Sequence, residues 1–193
     1  MNTLMHICCA PCANRPIAQL REEGHSVTGF WFNPNIHPYT EYQARKATLE
    51  GYAKEIGMKL IIGGRYDLRS FITNVADNID GRCAYCYRVR MEETAKYAAE
   101  HGFDSFTTSL LISPYQKHDA IAAIAREMGQ QYGVEFLYRD FRPLFREGQE
   151  FAREHGFYMQ KYCGCIFSEE ERYMAAKWKK EAKRREQEAP AQV

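Results

Sequence analysis

The sequence has no surplus of charge. Its 26 Lys and Arg stand against 25 Asp and Glu, a formal net charge of +1. Bulk charge therefore cannot drive nucleic-acid binding, and any such binding must use a local patch. The chain has no run of about 18 uncharged apolar residues, which excludes a transmembrane helix. Met1 to Cys12 carries neither the basic nor the apolar region of a signal peptide, so the expected compartment is the cytoplasm, with no membrane partner. No internal repeat is present.

What the chain does have is cysteine in groups. Seven occur, as Cys8, Cys9 and Cys12, as Cys83 and Cys86, and as Cys163 and Cys165. An odd count in a reducing compartment argues against a disulfide framework. None stands alone, unlike cysteines scattered through a core as small apolar fillers. With 193 residues and 45% apolar composition, the chain fits a single domain over residues 1–185. Residues 186–193, with Ala, Pro and Gln, read as a disordered tail.

Apolar runs and turn residues predict alternating strands and helices. Strands are expected over Thr3–Cys8, Val27–Phe32, Lys59–Ile62, Ser105–Ser109 and Val134–Tyr138. Helices are expected over Pro16–Glu23, Tyr39–Ile56, Asp67–Val75, Arg82–Glu100, His118–Met128, Gln149–Glu154 and Ser168–Arg185. The alternation implies an α/β fold with a mostly parallel sheet of about five strands flanked by helices. Ligands in such folds bind beyond the carboxyl ends of the strands. That places Cys8 and Cys9 on the same edge as the loop from Ser109 to Gln116.

Thiolates are the ligands of iron–sulfur clusters and of structural zinc. Cys83-x-x-Cys86 lets one turn aim two sulfurs at one metal centre. A thioredoxin-like redox pair would need a preceding strand, and Asn78 to Arg82 reads as a loop. Adjacent Cys8 and Cys9 can hardly chelate one zinc tetrahedrally, but they can reach different irons of one cluster. Cys163 and Cys165 can serve as further metal ligands or cycle as a dithiol and a strained, labile disulfide, with Gly164 permitting the turn. The redox pair is the preferred of these two readings. A zinc site that staples loops is the structural alternative.

Four segments carry a family resemblance. They are Cys8-Cys9-Ala10-Pro11-Cys12, Arg82-Cys83-Ala84-Tyr85-Cys86-Tyr87-Arg88-Val89-Arg90, Thr108-Ser109-Leu110-Leu111-Ile112-Ser113-Pro114-Tyr115-Gln116 and Lys161-Tyr162-Cys163-Gly164-Cys165. In order and content they resemble the motifs of the cobalamin-independent epoxyqueuosine reductases, over residues 6 to about 168. The resemblance implies a Rossmann-like fold related to the PP-loop (HUP) nucleotide-binding proteins. It also implies a [4Fe–4S] cluster, no cobalamin, and reduction of the epoxide of epoxyqueuosine at the tRNA wobble position to the alkene of queuosine. No Gly-rich phosphate loop follows the first strand, so a metal site stands where the relatives bind nucleotide and ATP use is not expected. Cys8, Cys9, Cys83 and Cys86 are the expected cluster ligands. Cys12 is a candidate for an adjacent iron or other metal.

The implied partners are a tRNA anticodon loop and an external electron donor. Arg82, Tyr87, Arg88, Ser113, Tyr115 and Gln116 are the expected substrate-binding residues. Tyr85, Tyr87, Tyr115 and His118 are candidate proton donors. Two basic segments qualify for phosphate contact: Arg82, Arg88 and Arg90, and the last helix with Lys177, Lys179, Lys180, Lys183, Arg184 and Arg185. A merely solvated face is the plain alternative for that helix. Two competing functions share the features: a zinc-stapled RNA-binding module and a cluster-dependent tRNA thiolation enzyme. The thiolation enzyme would need ATP for sulfur transfer.

Overall fold

A computed structural model of the chain describes residues 1–188. Five parallel strands form one sheet: β1 (Asn2–His6), β2 (Ser26–Trp31), β3 (Leu60–Ile62), β4 (Ser105–Thr108) and β5 (Glu135–Phe136). Their order is β3-β2-β1-β4-β5. Seven α-helices are described: α1 (Ala10–Glu22), α2 (Tyr39–Glu55), α3 (Leu68–Val75), α4 (Arg82–Glu100), α5 (His118–Tyr132), α6 (Phe145–Glu154) and α7 (Ile166–Glu188). The expected α/β fold with five parallel strands is the fold observed.

The strand order decides where the site lies. The chain builds outward from β1 to β3 and then crosses back to lay β4 on the other side of β1. The carboxyl ends of β1 and β4 are therefore the point where the winding reverses, and a crevice opens there. Register brings His6 opposite Thr108, so the segments that follow each strand leave the sheet side by side. Both strands are buried on both faces, as parallel central strands require. Two pairs of buried polar groups meet across the ladder: Thr3 Oγ1 lies 2.9 Å from Ser105 Oγ, and His6 Nδ1 lies 3.0 Å from Thr108 Oγ1.

The layers follow from the apolar faces. Helix α1 packs with α2 and α6, and α4 packs with α5. Trp31 is fully buried beside Tyr42, whose hydroxyl accepts the indole N–H at 3.0 Å, so the ring brings no unmet donor into the core. Gly148 lets α6 lie close to α1, where a Cβ would come within 3.0 Å of Asn14 Oδ1. Asn14 Nδ2 donates to the Gly148 carbonyl at 2.9 Å.

Several boundaries depart from expectation, and α5 runs on to Tyr132 rather than ending at Met128. Helix α1 begins at Ala10, not Pro16. Pro11 tolerates the first turn, where its missing N–H has no partner to lose, and Pro16 forfeits only the single bond that would reach the Cys12 carbonyl. Helix α6 begins four residues before Gln149. Helix α7 continues to Glu188, past Arg185, and the remainder of the expected tail lies outside the described residues.

Candidate metal centre

The first cysteine group is assembled by one helix start. Cys9 is the N-cap of α1, in extended conformation, and Cys12 is the third helical residue. N-cap and third-residue side chains face one another at a helix start, which is why capping boxes use those positions. Cys8 precedes the cap. The three sulfurs lie within 4.8 Å of one another, and Cys8 and Cys9 Sγ are 3.8 Å apart. All three are buried, and Cys9 fully so.

Three thiols at a helix N-terminus invite one negative charge. Hydrogen bonds from Cys12 and Cys9 pull the Cys8 thiol well below its ordinary range, with Arg45 and His6 assisting against burial. Cys9 is pushed up, chiefly by burial, and Cys12 is pushed up by its bond to Cys8. The Cys8 N–H donates to Ser109 Oγ at 3.3 Å, and Ser109 Oγ–H points to Cys8 Sγ at 3.7 Å. Ser109 opens the short 3₁₀ turn after β4, so the two central strands meet at this sulfur.

The second group sits on peripheral elements. Cys83 and Cys86 occupy the first turns of α4, and Cys165 lies just before α7. Cys86 and Cys165 belong to a small satellite cluster with Phe71 and Val75, separate from the main core. Burial pushes the Cys86 thiol up to about 12, with Arg90 opposing. Arg90 Nη2 donates to Cys86 Sγ at 3.0 Å and its Nε to the Cys86 carbonyl at 2.8 Å. Cys163 is exposed and accepts from Gln116 Nε2 at 3.1 Å. The Tyr87 hydroxyl donates to Gln116 Oε1 at 2.7 Å, which fixes which end of that amide faces the sulfur.

Arg45 clamps the turn that carries Cys163 and Cys165. Its guanidinium donates to the carbonyls of Cys163 at 3.0 Å and Tyr162 at 2.9 Å, and pairs with buried Glu41 at 2.7 Å. Tyr158 donates its hydroxyl to the other Glu41 oxygen. The His37 N–H donates to the Gly164 carbonyl at 2.8 Å, and Tyr162 donates to the His37 carbonyl at 2.7 Å. Gly164 has φ +146°, a backbone state that side chains rarely adopt.

Two adjoining cavities join these groups. The larger, about 390 Å³, is lined by Cys8, Cys12, Arg45, Gln160 and Cys163 among others. The smaller, about 180 Å³, is lined by Asn35, Cys83, Cys86, Cys163 and Cys165 among others. Cys163, Tyr115 and Gln116 line both, so six cysteines face one continuous crevice, and Cys9 lies behind. All seven are free thiols.

The expected substrate residues divide. Ser113 lines the larger cavity, Arg82 and Tyr87 the smaller, and Tyr115 and Gln116 both. Arg82 pairs with Glu171. Arg88 faces away: both its terminal nitrogens bind Glu127 at 2.8 Å, and it lines neither cavity. Arg90 is 1% exposed, so it cannot contact phosphate from outside; it serves the buried sulfur instead. His118 is buried against Asp140, at 3.7 Å, and Tyr85 packs on Phe71; neither lines the crevice. Asn35, Arg45 and Gln160 were not singled out by sequence. The only signals for them were the Asn33-Pro34-Asn35 turn and the Glu41–Arg45 spacing on one helix face.

The donor set fits a thiolate-ligated iron–sulfur group. The Cys8, Cys9 and Cys12 sulfurs converge, and two buried arginines near the thiols carry positive charge that would otherwise be costly to bury.

The family model described as epoxyqueuosine reductase QueH matches residues 3–171. A curated protein of that name from Dehalococcoides mccartyi is 39% identical over 170 residues, covering 88% of this chain and 93% of that protein. Another, from Thermotoga maritima, is 34% identical over 174 residues, covering 86% and 88%. Among solved structures, a predicted subunit of tRNA methyltransferase from Methanocaldococcus jannaschii superposes with a TM-score of 0.58 at 12% identity, covering 92% of this chain and 88% of that one. The U34-tRNA thiolase NcsA from Methanococcus maripaludis, solved with its [4Fe–4S] cluster, gives 0.57 at 14% identity, covering 94% and 67%. These two likenesses establish the PP-loop-like fold. The chain belongs to the epoxyqueuosine reductase QueH family, a family of oxidoreductases.

Proposed function

We propose that this protein reduces the epoxide of epoxyqueuosine at the wobble position of tRNA, in the cytoplasm, with a [4Fe–4S] cluster. The observation that carries the reading is the crevice at the β1/β4 edge, lined by six thiols and backed by buried Arg45 and Arg90. In this reading Cys8, Cys9, Cys83 and Cys86 hold the cluster, and Cys12 faces an adjacent metal. The cluster, when bound, supplies low-potential electrons one at a time.

The chain's own residues do the rest. Arg90 and Arg45 offset thiolate charge on either side of the crevice. Tyr115, 86% exposed at the junction of the cavities, offers a face on which the substrate base stacks. Gln116, held by Tyr87, keeps the Cys163 sulfur at the cavity wall. Cys163 and Cys165 act as a dithiol. Oxidation of the pair to a disulfide releases two electrons and two protons, the amount consumed when an epoxide becomes an alkene and water. An external reductant then restores the thiols.

Anaerobic purification tests the reading. The expected protein is brown, absorbs at roughly 400 nm as thiolate-ligated iron does, and carries iron and sulfide together. With a low-potential reductant it should remove one oxygen atom from epoxyqueuosine tRNA, read by mass spectrometry. Colourless protein holding stoichiometric zinc, inactive on that tRNA, would sink the proposal.

A further inference from the structure

The smaller cavity contains a polar group that the fold does not use. Asn35 lines its wall and is 1% exposed, yet neither its Oδ1 nor its Nδ2 has a hydrogen-bond partner among the described residues. Buried carboxamides are normally paired, and leaving both ends unmade is costly. Its neighbours are pinned. Asn33 Nδ2 donates to the Ile7 carbonyl at 2.9 Å, the Ile36 N–H donates to the Asn33 carbonyl at 3.3 Å, and His37 is tied to Gly164. Gly164 stands directly behind the amide, where a Cβ would lie 3.6 Å from Asn35 Nδ2. The side chain thus sits in the wall of a cavity that Cys83 and Cys86 also line, with both hydrogen-bonding ends idle among the described residues.

We propose that Asn35 recognises the hydroxyl-bearing five-membered ring of the substrate, an inference that rests on the epoxyqueuosine reading above. The cavity size selects that part. About 180 Å³ suits a small oxygenated ring, whereas a nucleoside needs the larger adjoining space of about 390 Å³. The chemistry selects it too. A carboxamide offers one acceptor oxygen and two donor hydrogens, and a hydroxyl both donates and accepts. Two hydroxyls on adjacent carbons can bind both ends of one amide, one donating to Oδ1 and the other accepting from Nδ2. A site built to hydrogen-bond a hydroxyl rejects analogues that lack it, because its own polar groups are then stranded. Asn35 therefore separates the ring-bearing nucleotide from its ring-less relatives.

The test compares two anticodon stem-loop RNAs bound by anaerobically purified holoenzyme. One carries epoxyqueuosine and the other the 7-aminomethyl-7-deazaguanine base without the ring. Wild type should prefer the ring-bearing RNA. Asn35→Ala should cut that preference by about tenfold to a hundredfold, the range for a buried hydrogen-bonding group left unpaired. Its affinity for the ring-less RNA and its iron content should stay unchanged. Asn35→Leu, close in size, should lose the preference as well, because it offers neither donor nor acceptor; it carries the test if the alanine variant fails to fold. The proposal is overturned if wild type binds both RNAs equally, if either folded variant keeps the full preference, or if affinity for both RNAs falls together. A change in iron content with the preference intact also overturns it, since Asn35 would then serve the metal. Failure of the wild type to reduce the epoxide strikes the functional reading instead, and is scored separately by turnover.

Discussion

The two cysteine groups face one crevice but are built differently. Cys8, Cys9 and Cys12 hang from the central strand and the start of α1, inside the main core. Cys86 and Cys165, on α4 and just before α7, pack in a small separate cluster with side chains from α3, while half-buried Cys83 packs against the main core. Cys163 is exposed. The first group is placed by local chain geometry across five residues. The second is placed by contacts between residues more than a hundred positions apart, above all Arg45 with Tyr162 and Cys163. A group built locally survives perturbation of distant elements; a group built by long-range contacts does not.

The largest effect expected is on the metal. Cys83→Ala or Cys86→Ala should abolish cluster iron and activity together, because each removes a proposed ligand with no spare sulfur on its own helix. Full iron content in both variants, by colorimetric assay, would refute the ligand assignment. Cys163→Ser and Cys165→Ser should behave oppositely, keeping iron while turnover stops. Loss of iron there would move these two residues from the redox role to the ligand set.

Next in size is the clamp. Arg45→Met leaves the Glu41 carboxylate buried without its partner, which should cost about 3–5 kcal/mol. For a chain of this length that corresponds to a fall in melting temperature on the order of 10 °C. Adding Glu41→Gln removes the stranded charge and should restore part of the loss. A double variant no more stable than Arg45→Met would mean the carbonyl contacts, not the ion pair, dominate.

A smaller effect tracks pH. Burial lowers the His37 pKa from about 6.5 to about 4, and its ring Nε2 lies 3.0 Å from the Pro34 carbonyl. Between those values the unfolded chain binds a proton that the folded chain refuses, so stability falls as pH drops from 6.5 toward 4 and is fully present above 6.5. Denaturant titrations at pH 7 and pH 5 should show a shallower loss for His37→Gln than for wild type. Equal losses would remove His37 as the source.

The smallest effect concerns α7, which continues from the second group. Lys177, Lys179 and Lys180 are exposed on it. Reversing their charge should leave iron and kcat intact while weakening tRNA binding and flattening its salt dependence, by roughly 0.7 logarithmic units per log unit of salt for each phosphate no longer neutralised. An unchanged slope would make this face of α7 a solvated surface.

Much of this was legible in the chain. Apolar runs and turn residues alternating with helical stretches determined a parallel α/β sheet, because strands buried on both faces read as short continuous apolar runs. The grouping of cysteines pointed to a thiolate site, and the edge of the first and fourth strands to its location. Tertiary structure decided the rest. It started α1 at Ala10, which makes Cys12 converge with Cys8 and Cys9 instead of lying in a separate turn. It buried Arg90, turned Arg88 outward to Glu127, and aimed Asn35 and Arg45 into the crevice. Sequence spacing reports which residues share a turn or a helix face. Whether an arginine or an asparagine ends in solvent or against a sulfur depends on which elements pack over it, and only contacts across the whole chain settle that.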